Sequence, residues 1–275
     1  MKQKKAILIG VMVFIVLGVL VYSHLLKVVH YGFDDVGYRG ERALKAALIT
    51  DLHACYYGED QHWLVEILKQ ERPDVILLGG DIYDDARPFD HADTLLKVLP
   101  AIAPTYYVNG NHETWLPTAD YDALMARIAS HGVHILHGDS VFLPNTNVSI
   151  HGVSDPDGGA FEADLRRVSG RVSADRVDIL LSHRPELIDV YRANGFDVVL
   201  SGHAHGGQWR VPFLINGVFA PNQGLFPPYA GGLYAFDDEL GYHKFIVSRG
   251  LARESTRVPR IFNRPELVFF TLSKS

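Results

Sequence analysis

Five short apolar runs, each about as long as a β-strand, end beside a polar residue that can bind a metal ion. The runs are ALKAALIT, DVILLGG, TYYVNG, VDILLS and DVVLSG, and they are followed by Asp51, Asp81, Asn111, His183 and His203. Helix-like segments, with apolar residues three and four positions apart, separate the earlier runs. Strands that are apolar throughout and joined by helices indicate a sheet covered on both faces. Ligands of open α/β sheets bind at the carboxyl ends of the strands, where these polar residues lie.

The rest of the chain adds shorter strands. The segment VHILHGDSVFLPNTNVSIHGVSD is typical of short antiparallel strands with tight turns, and GGLYAFDDELGYHKFIVSRG and PELVFFTL also have strand patterns. We therefore predict one α/β domain over residues 44–275, built from two packed mixed β-sheets flanked by helices in a four-layer arrangement. Residues 28–43 are predicted to be a short polar linker.

Residues 1–27 are predicted to form a signal anchor. The run from Ala6 to about Leu26 carries no charge and is long enough to cross a bilayer as a helix. A cleaved signal peptide is the alternative, but its apolar stretch is usually shorter and is followed by a small-residue cleavage site. The lysines of MKQKK precede the run, so the positive-inside rule predicts a cytoplasmic N-terminus. The catalytic domain would then lie outside the cytoplasmic membrane of a bacterium.

Composition excludes several classes of protein. The formal net charge of the 275 residues is −6, and no basic excess indicates nucleic-acid binding. Cys55 is the one cysteine, which excludes both a disulfide within the chain and a zinc site built from cysteines. Cys55 itself is predicted to be a packing residue.

Five motifs resemble the signature of the calcineurin-like metallophosphoesterases. They are DLH at 51–53, GDIYD at 80–84, GNHE at 110–113, SH at 182–183 and GHAH at 202–205. Each motif alone is weak, whereas all five in this order are specific, and the resemblance covers residues 44–250. The tail, with GHAHGGQWRVPF and PNQGLFPPYAGGLY, is similar to the membrane-anchored YkuE-like branch. That branch includes UDP-2,3-diacylglucosamine hydrolases of the chlamydial type.

The resemblance implies the metallophosphoesterase fold and a site for two divalent ions. One ion would be bound by Asp51, His53 and His205, the second by Asn111, His183 and His203, and Asp81 would bridge both. Oxygen and imidazole ligands suit Mn, Fe, Zn or Co, and Mn is favoured. The ions would bind the phosphate and supply a hydroxide for in-line displacement. Alternate residues of an extended segment share a face, so His203 and His205 are predicted to point to the site together.

The resemblance also implies catalytic roles for two residues that are not ligands. His112 would assist the leaving-group oxygen as an acid or hydrogen-bond donor. Asp84 would orient His112, although a helix cap or turn residue is the alternative at that position.

The leading hypothesis is a membrane-anchored dinuclear hydrolase of a phosphoester or pyrophosphate bond. A lipid-linked substrate such as UDP-2,3-diacylglucosamine is one candidate, and a general phosphodiesterase or phosphatase of the cell envelope is the alternative. A non-catalytic binding protein on the same fold is a further alternative. Arg249 is predicted either to contact the phosphate or to form a structural salt bridge. Residues 213–229 are predicted either to form a rim that contacts lipid or to pack in the ordinary way.

Overall fold

The computed structural model describes residues 2–253 and 258–274, and in the first helix it leaves the side chains at positions 2–6, 8 and 15 undescribed. The helices are α1 (Lys2–His24), α2 (His62–Glu71), α3 (Asp90–Ile102), α4 (Asn111–Thr114), α5 (Thr118–Ser130), α6 (Phe161–Ser169) and α7 (Ile188–Ala193). The strands are β1 (Lys27–Phe33), β2 (Leu44–Ile49), β3 (Val75–Gly79), β4 (Thr105–Val108), β5 (His134–Ile135), β6 (Asp139–Phe142), β7 (Val148–Gly152), β8 (Val177–Leu181), β9 (Val198–Ser201), β10 (Phe219–Ala220), β11 (Gly224–Leu225), β12 (Gly232–Asp238), β13 (Gly241–Val247) and β14 (Glu266–Leu272).

The strands form two mixed six-stranded sheets, as predicted. The first sheet has the order β1-β14-β2-β3-β4-β5, in which only the β14–β2 pair is antiparallel. The second has the order β12-β13-β9-β8-β7-β6, with antiparallel pairs at its two edges. The short strands β10 and β11 pair with each other.

Three apolar clusters hold four layers together. Leu48 and Phe270 of the first sheet share a buried cluster with Ile150 and Ile246 of the second, so the two sheets pack face to face. A second cluster joins the outer face of the first sheet to α2, α3 and α5. The third joins the outer face of the second sheet to α6 and α7. All residues of β2, β3, β4, β8 and β9 are buried apart from Lys45, which explains their nearly continuous apolar sequences.

The prediction of a linker over residues 28–43 is wrong. Residues 27–33 form β1, which pairs in parallel with β14. Phe33 and Val36 are buried in the cluster between the sheets. The partner strand lies more than two hundred residues further along the chain, so the local sequence pattern could not reveal the pairing.

The first helix matches the predicted anchor in position, because α1 spans Lys2–His24. Among the helices of the described residues, none is long and apolar enough to cross a membrane, and the predicted transmembrane anchor is therefore not supported. The side chains of the lysines before the apolar run lie outside the described residues. The carboxyl end of α1 contacts the domain, since the Ser23 hydroxyl accepts a hydrogen bond from the backbone N–H of Phe262 at 2.8 Å.

Candidate metal centre

The predicted ligands meet where the carboxyl ends of the two sheets face each other. The loops after β2 and β3 carry Asp51, His53 and Asp81, and Asn111 is the first residue of α4 after β4. The segments after β8 and β9 carry His183, His203 and His205. Among the predicted ligands, two groups have ligand atoms within 4.8 Å of one another, namely Asp51, His53, Asp81 and His205, and Asp81, His183 and His203. Asp81 belongs to both groups, as the predicted bridging role requires.

The carboxylate of Asp81 lies between the two groups. Its Oδ2 atom is 3.2 Å from Nε2 of His183 and 3.6 Å from Nε2 of His53. Its Oδ1 atom accepts a hydrogen bond from the backbone N–H of His112 at 3.0 Å. One oxygen therefore fixes the orientation of the carboxylate while the other faces both sets of imidazoles.

Several of these donor atoms have no hydrogen-bond partner. Oδ2 of Asp51, Nε2 of His53, Oδ1 of Asn111 and Nδ1 of His205 are buried and form no hydrogen bond. An unsatisfied polar atom in the interior costs about 1–3 kcal/mol, so buried polar groups are almost always paired. Carboxylate, amide oxygen and imidazole are a donor set that divalent transition metals accept. The residues present therefore fit a pair of divalent cations.

The opposite ring nitrogens of three ligand histidines contact oxygen atoms, which orients the rings. These contacts are Nδ1 of His53 to Asp84 at 3.0 Å, Nδ1 of His183 to the Gly79 carbonyl at 2.8 Å, and Nε2 of His203 to Oδ1 of Asn222 at 2.8 Å. Such contacts fix the tautomer and leave the other nitrogen for the metal.

Burial and neighbouring charges shift the pKa values of the two histidines of the second group in opposite directions. Burial acts to lower the pKa of His183, but the charge of Asp81 and its hydrogen bond outweigh burial and raise the pKa to about 10. Burial and the charges of His183 and Arg184 lower the pKa of His203 to about 3. Asp81 therefore favours the charged form of His183, and a cation held by this imidazole would compete with the added proton.

The backbone is left-handed at five of the seven predicted ligands. The φ angles are 49° at Asp51, 48° at His53, 51° at Asp81, 64° at His203 and 47° at His205. Non-glycine residues rarely adopt such angles. Backbone conformations of this kind cluster at functional sites, where the surrounding structure enforces them. The prediction of an extended His203–His205 segment is therefore wrong, although both rings reach the site as expected.

Two glycines allow the chain to pass close to the carboxylates. A Cβ atom at Gly110 would lie 2.2 Å from Oδ1 of Asp81, and one at Gly202 would lie 2.4 Å from Oδ2 of Asp51. Gly206 and Gly207 have positive φ angles and pack against Asn263 and Gly217. The glycines around the two histidines therefore serve close packing as well as sharp turns.

His112 lies at the edge of the first group, with its ring 4.5 Å from that of His53. Its Nδ1 atom is 2.6 Å from Asp85 and 3.9 Å from Asp84. The predicted orienting partner of His112 is thus corrected from Asp84 to Asp85. Asp84 orients the metal ligand His53 instead, and its Oδ1 atom accepts from the N–H of Ala86.

Glu113 is a residue of the site that sequence reasoning missed. It is fully buried, and its two carboxylate oxygens accept four backbone N–H bonds of 2.8–3.0 Å from Asp81, Ile82, Tyr83 and Gly110. Burial raises the pKa of Glu113. Each oxygen nevertheless has two N–H donors and no lone pair left for a proton, so the geometry requires the ionised form. Glu113 ties the Asp81 loop to the start of α4.

Two residues singled out in the sequence, Arg249 and Cys55, have structural contacts, and so does a third residue, Arg184. Arg249 is buried and donates to Oδ1 of Asn216 at 2.6 Å, and its Nε atom is 3.8 Å from Glu266, which favours the structural reading. Cys55 is buried in the apolar cluster on the outer face of the first sheet, as predicted. Arg184 was not predicted; it pairs with Asp155 at 2.6 Å and approaches His203 at 3.2 Å.

Comparison with known proteins decides the family. A model of the calcineurin-like phosphoesterases matches residues 44–207, which is more than half of the chain. The chain belongs to this family. It is 31% identical to phosphodiesterase YaeI of Escherichia coli over 213 residues, covering 74% of this chain and 72% of YaeI. It is 27% identical to YkuE, an uncharacterized metallophosphoesterase of Bacillus subtilis, over 269 residues, covering 92% of this chain and 85% of YkuE.

A solved structure shows the same fold. A dimetal phosphatase from Danio rerio superimposes with a TM-score of 0.50 at 14% identity, covering 77% of this chain and 88% of that chain. Together with the two side-chain groups that share Asp81, family membership makes this chain a metal-dependent phosphoesterase. The predicted family and enzyme class are confirmed, whereas the link to UDP-2,3-diacylglucosamine hydrolases stays a prediction.

Proposed function

We propose that this phosphoesterase hydrolyses phosphodiesters at two divalent cations, with manganese as the favoured metal. The observation that carries this proposal is the set of four buried donor atoms without a hydrogen-bond partner, on Asp51, His53, Asn111 and His205. The first ion would be held by Asp51, His53 and His205, the second by Asn111, His183 and His203, and Asp81 would hold both. When bound, such a pair supplies positive charge for the phosphate and activates the attacking water.

His112 is proposed to assist the leaving group. Asp85 engages Nδ1 of His112, so Nε2 is the nitrogen left for a substrate. With both ring nitrogens protonated, His112 donates one hydrogen bond to Asp85 and keeps the other proton for the leaving oxygen. The ring is about one quarter exposed, which leaves it accessible to a bound phosphoester.

Two variants separate metal binding from chemistry. Asp81→Asn removes the shared negative charge and should lower metal content and turnover together. His112→Ala should keep both metals while kcat falls about 10²–10⁴-fold, the range for a lost general acid. The loss should shrink with nitrophenolate as leaving group, because that anion needs little protonation.

Metal content by mass spectrometry and rates on esters with poor and good leaving groups provide the test. If His112→Ala lost its metals as Asp81→Asn does, His112 would be a ligand and the proposed site would be wrong. Full activity of His112→Ala on a poor leaving group would refute the acid role. A protein that binds metal and turns over no mono-, di- or pyrophosphate ester would instead support a non-catalytic binding protein.

The narrower candidate is a lipid-linked phosphoester or pyrophosphate such as UDP-2,3-diacylglucosamine, which would give the enzyme a role in lipid metabolism. Two exposed apolar side chains favour it, because Trp209 and Phe219 line the same cleft as the predicted ligand His205. A general envelope phosphodiesterase or phosphatase is the alternative. An activity panel that compares lipid-linked with water-soluble esters on the manganese-loaded protein distinguishes the two.

Membrane attachment through residues 1–27 and an extracytoplasmic catalytic domain also stay proposals. A truncation should keep Ser23 and β1, because both contact the domain. Deleting residues 1–21 should leave a folded protein that hydrolyses a small ester. Full metal content without turnover in that truncation would count against an independent catalytic domain. The side of the membrane on which the catalytic domain lies is tested separately, by a C-terminal reporter that is active only outside the cytoplasm.

A further inference from the structure

An apolar cleft of about 490 Å³ opens beside the first group of ligands. Its walls include Trp209, Val218, Phe219 and Pro221, and the metal ligand His205 forms part of the lining. Among the lining residues that the structure describes, none carries a carboxylate, an amine or a guanidinium. The cleft is thus continuous with the proposed metal centre but differs from it in chemistry.

The wall of the cleft is fixed to the ligand loop by backbone contacts. The N–H of Val218 donates to the carbonyls of Gly207 and Trp209 at 3.0 and 2.9 Å. A Cβ atom at Gly207 would lie 2.4 Å from Cα of Gly217, so the two segments pack as closely as glycine permits. The cleft is therefore formed before any substrate binds, and little conformational entropy opposes its occupation.

The same segment also contacts the second group of ligands. Asn222 directly follows the cleft residue Pro221, and its Oδ1 atom is 2.8 Å from Nε2 of His203. The loop that lines the cleft thus contacts His203 of the second group, while His205 of the first group is itself part of the lining. An occupant of the cleft would lie next to a phosphate at the metals.

The apolar lining remains exposed in this protein. Trp209 is 43% exposed, Phe219 51% and Val258 45%. Phe213 and Leu214, at the tip of the hairpin after Trp209, are almost wholly exposed. Contiguous exposed apolar side chains at the rim of a site are typical of ligand-binding grooves.

We infer that this cleft binds a hydrocarbon chain of the substrate, so that the enzyme selects phosphoesters bearing an alkyl or acyl group. The inference rests on the proposed function, because the phosphate must be held at the metals for the chain to reach the cleft. A chain is the occupant favoured by this lining, because its described residues offer apolar surface and no carboxylate, amine or guanidinium. Burying a methylene fully corresponds to about fourfold in affinity, and a half-open cleft should give about twofold.

The test measures binding of straight-chain alkylphosphonates, from methyl to hexyl, to the manganese-loaded full-length protein by calorimetry below their micelle concentrations. Affinity should rise about twofold per methylene, or roughly thirtyfold from methyl to hexyl. Phe219→Ser should flatten this series. Phe142→Ser is the matched control, because Phe142 is also 51% exposed but lies in the edge strand β6 outside the cleft.

Three results would overturn the inference: equal affinity along the series in the unchanged protein, an unaltered slope in Phe219→Ser, or equal flattening in Phe142→Ser. Chain-length dependence that appears only with micelles or vesicles would also overturn it, since the cleft would then contact a membrane surface. Hydrolysis of methyl p-nitrophenyl phosphate is measured separately. If this ester were not hydrolysed while the affinity for alkylphosphonates still rose with chain length, the proposed function would be refuted and the assignment of the cleft would stand.

Discussion

Replacing Glu113 with glutamine should destabilise the protein and empty the metal centre at once. The carboxylate accepts four backbone N–H bonds, two on each oxygen. Glutamine keeps one oxygen and turns an NH2 group towards two of those donors, so at least two bonds are lost. Buried hydrogen bonds to a charged group contribute about 1.5–3 kcal/mol each, which predicts a loss of about 3–6 kcal/mol. That is a large share of the 5–15 kcal/mol typical of a folded domain.

Urea unfolding followed by circular dichroism, together with manganese content, measures both effects. The metal content should fall because each carboxylate oxygen holds the Asp81 loop, one through Asp81 and the other through Ile82 and Tyr83, so the loop loses a bond whichever oxygen is replaced. Glu66→Gln is the matched control: Glu66 is exposed on α2, its contact is with Lys69, and its loss should cost less than about 1 kcal/mol. If Glu113→Gln stayed within about 1 kcal/mol of the unchanged protein, Glu113 would not hold the site together.

Three further predictions follow from single contacts. Asp85→Asn removes the negative charge beside Nδ1 of His112, so kcat on a poor leaving group should fall about tenfold at unchanged metal content. An unchanged kcat would show that Asp85 does not orient His112. Gly110→Ala places a Cβ atom 2.2 Å from Oδ1 of Asp81 and should therefore lower the metal content. An unchanged metal content would show that the Asp81 loop can move to accommodate the methyl group. Burial raises the pKa of Asp197 from 3.8 to about 6, so the native state binds the extra proton between these values and stability falls as the pH rises through them. Urea unfolding at pH 4 and pH 7 should therefore show the unchanged protein losing about 1–3 kcal/mol more than Asp197→Asn, and equal losses would refute that assignment.

The strand-and-ligand pattern was visible in the sequence because both signals are local. Each of the five apolar runs forms a buried strand, and each polar residue after a run lies at the predicted edge. Strand β1 was missed because its partner β14 is remote in sequence. The position of β1 at the edge of the first sheet depends on its pairing with β14, and the residues of β1 alone do not indicate that pairing.

Details of the site depended on backbone geometry that residue order does not specify. The sequence YDDA offers two adjacent carboxylates, and only the turn decides that Asp84 faces His53 while Asp85 faces His112. Glu113 could have been found, because a glutamate three residues after Gly110 has the spacing of a capping box. Its further contacts to the Asp81 loop are tertiary and lay beyond that signal.

The left-handed backbone at five ligands restricts which side chains can replace them. Asp, Asn and His are the residues that tolerate this conformation best after glycine, and the chain uses only Asp and His at those five positions. A β-branched or bulky donor such as threonine or glutamate would add backbone strain to any change in coordination. Few residue types can therefore be used at these positions when ligands are exchanged to change the metal preference of the enzyme. Asn111 and His183, whose backbones do not have positive φ angles, are the positions where a wider choice of donors can be tried.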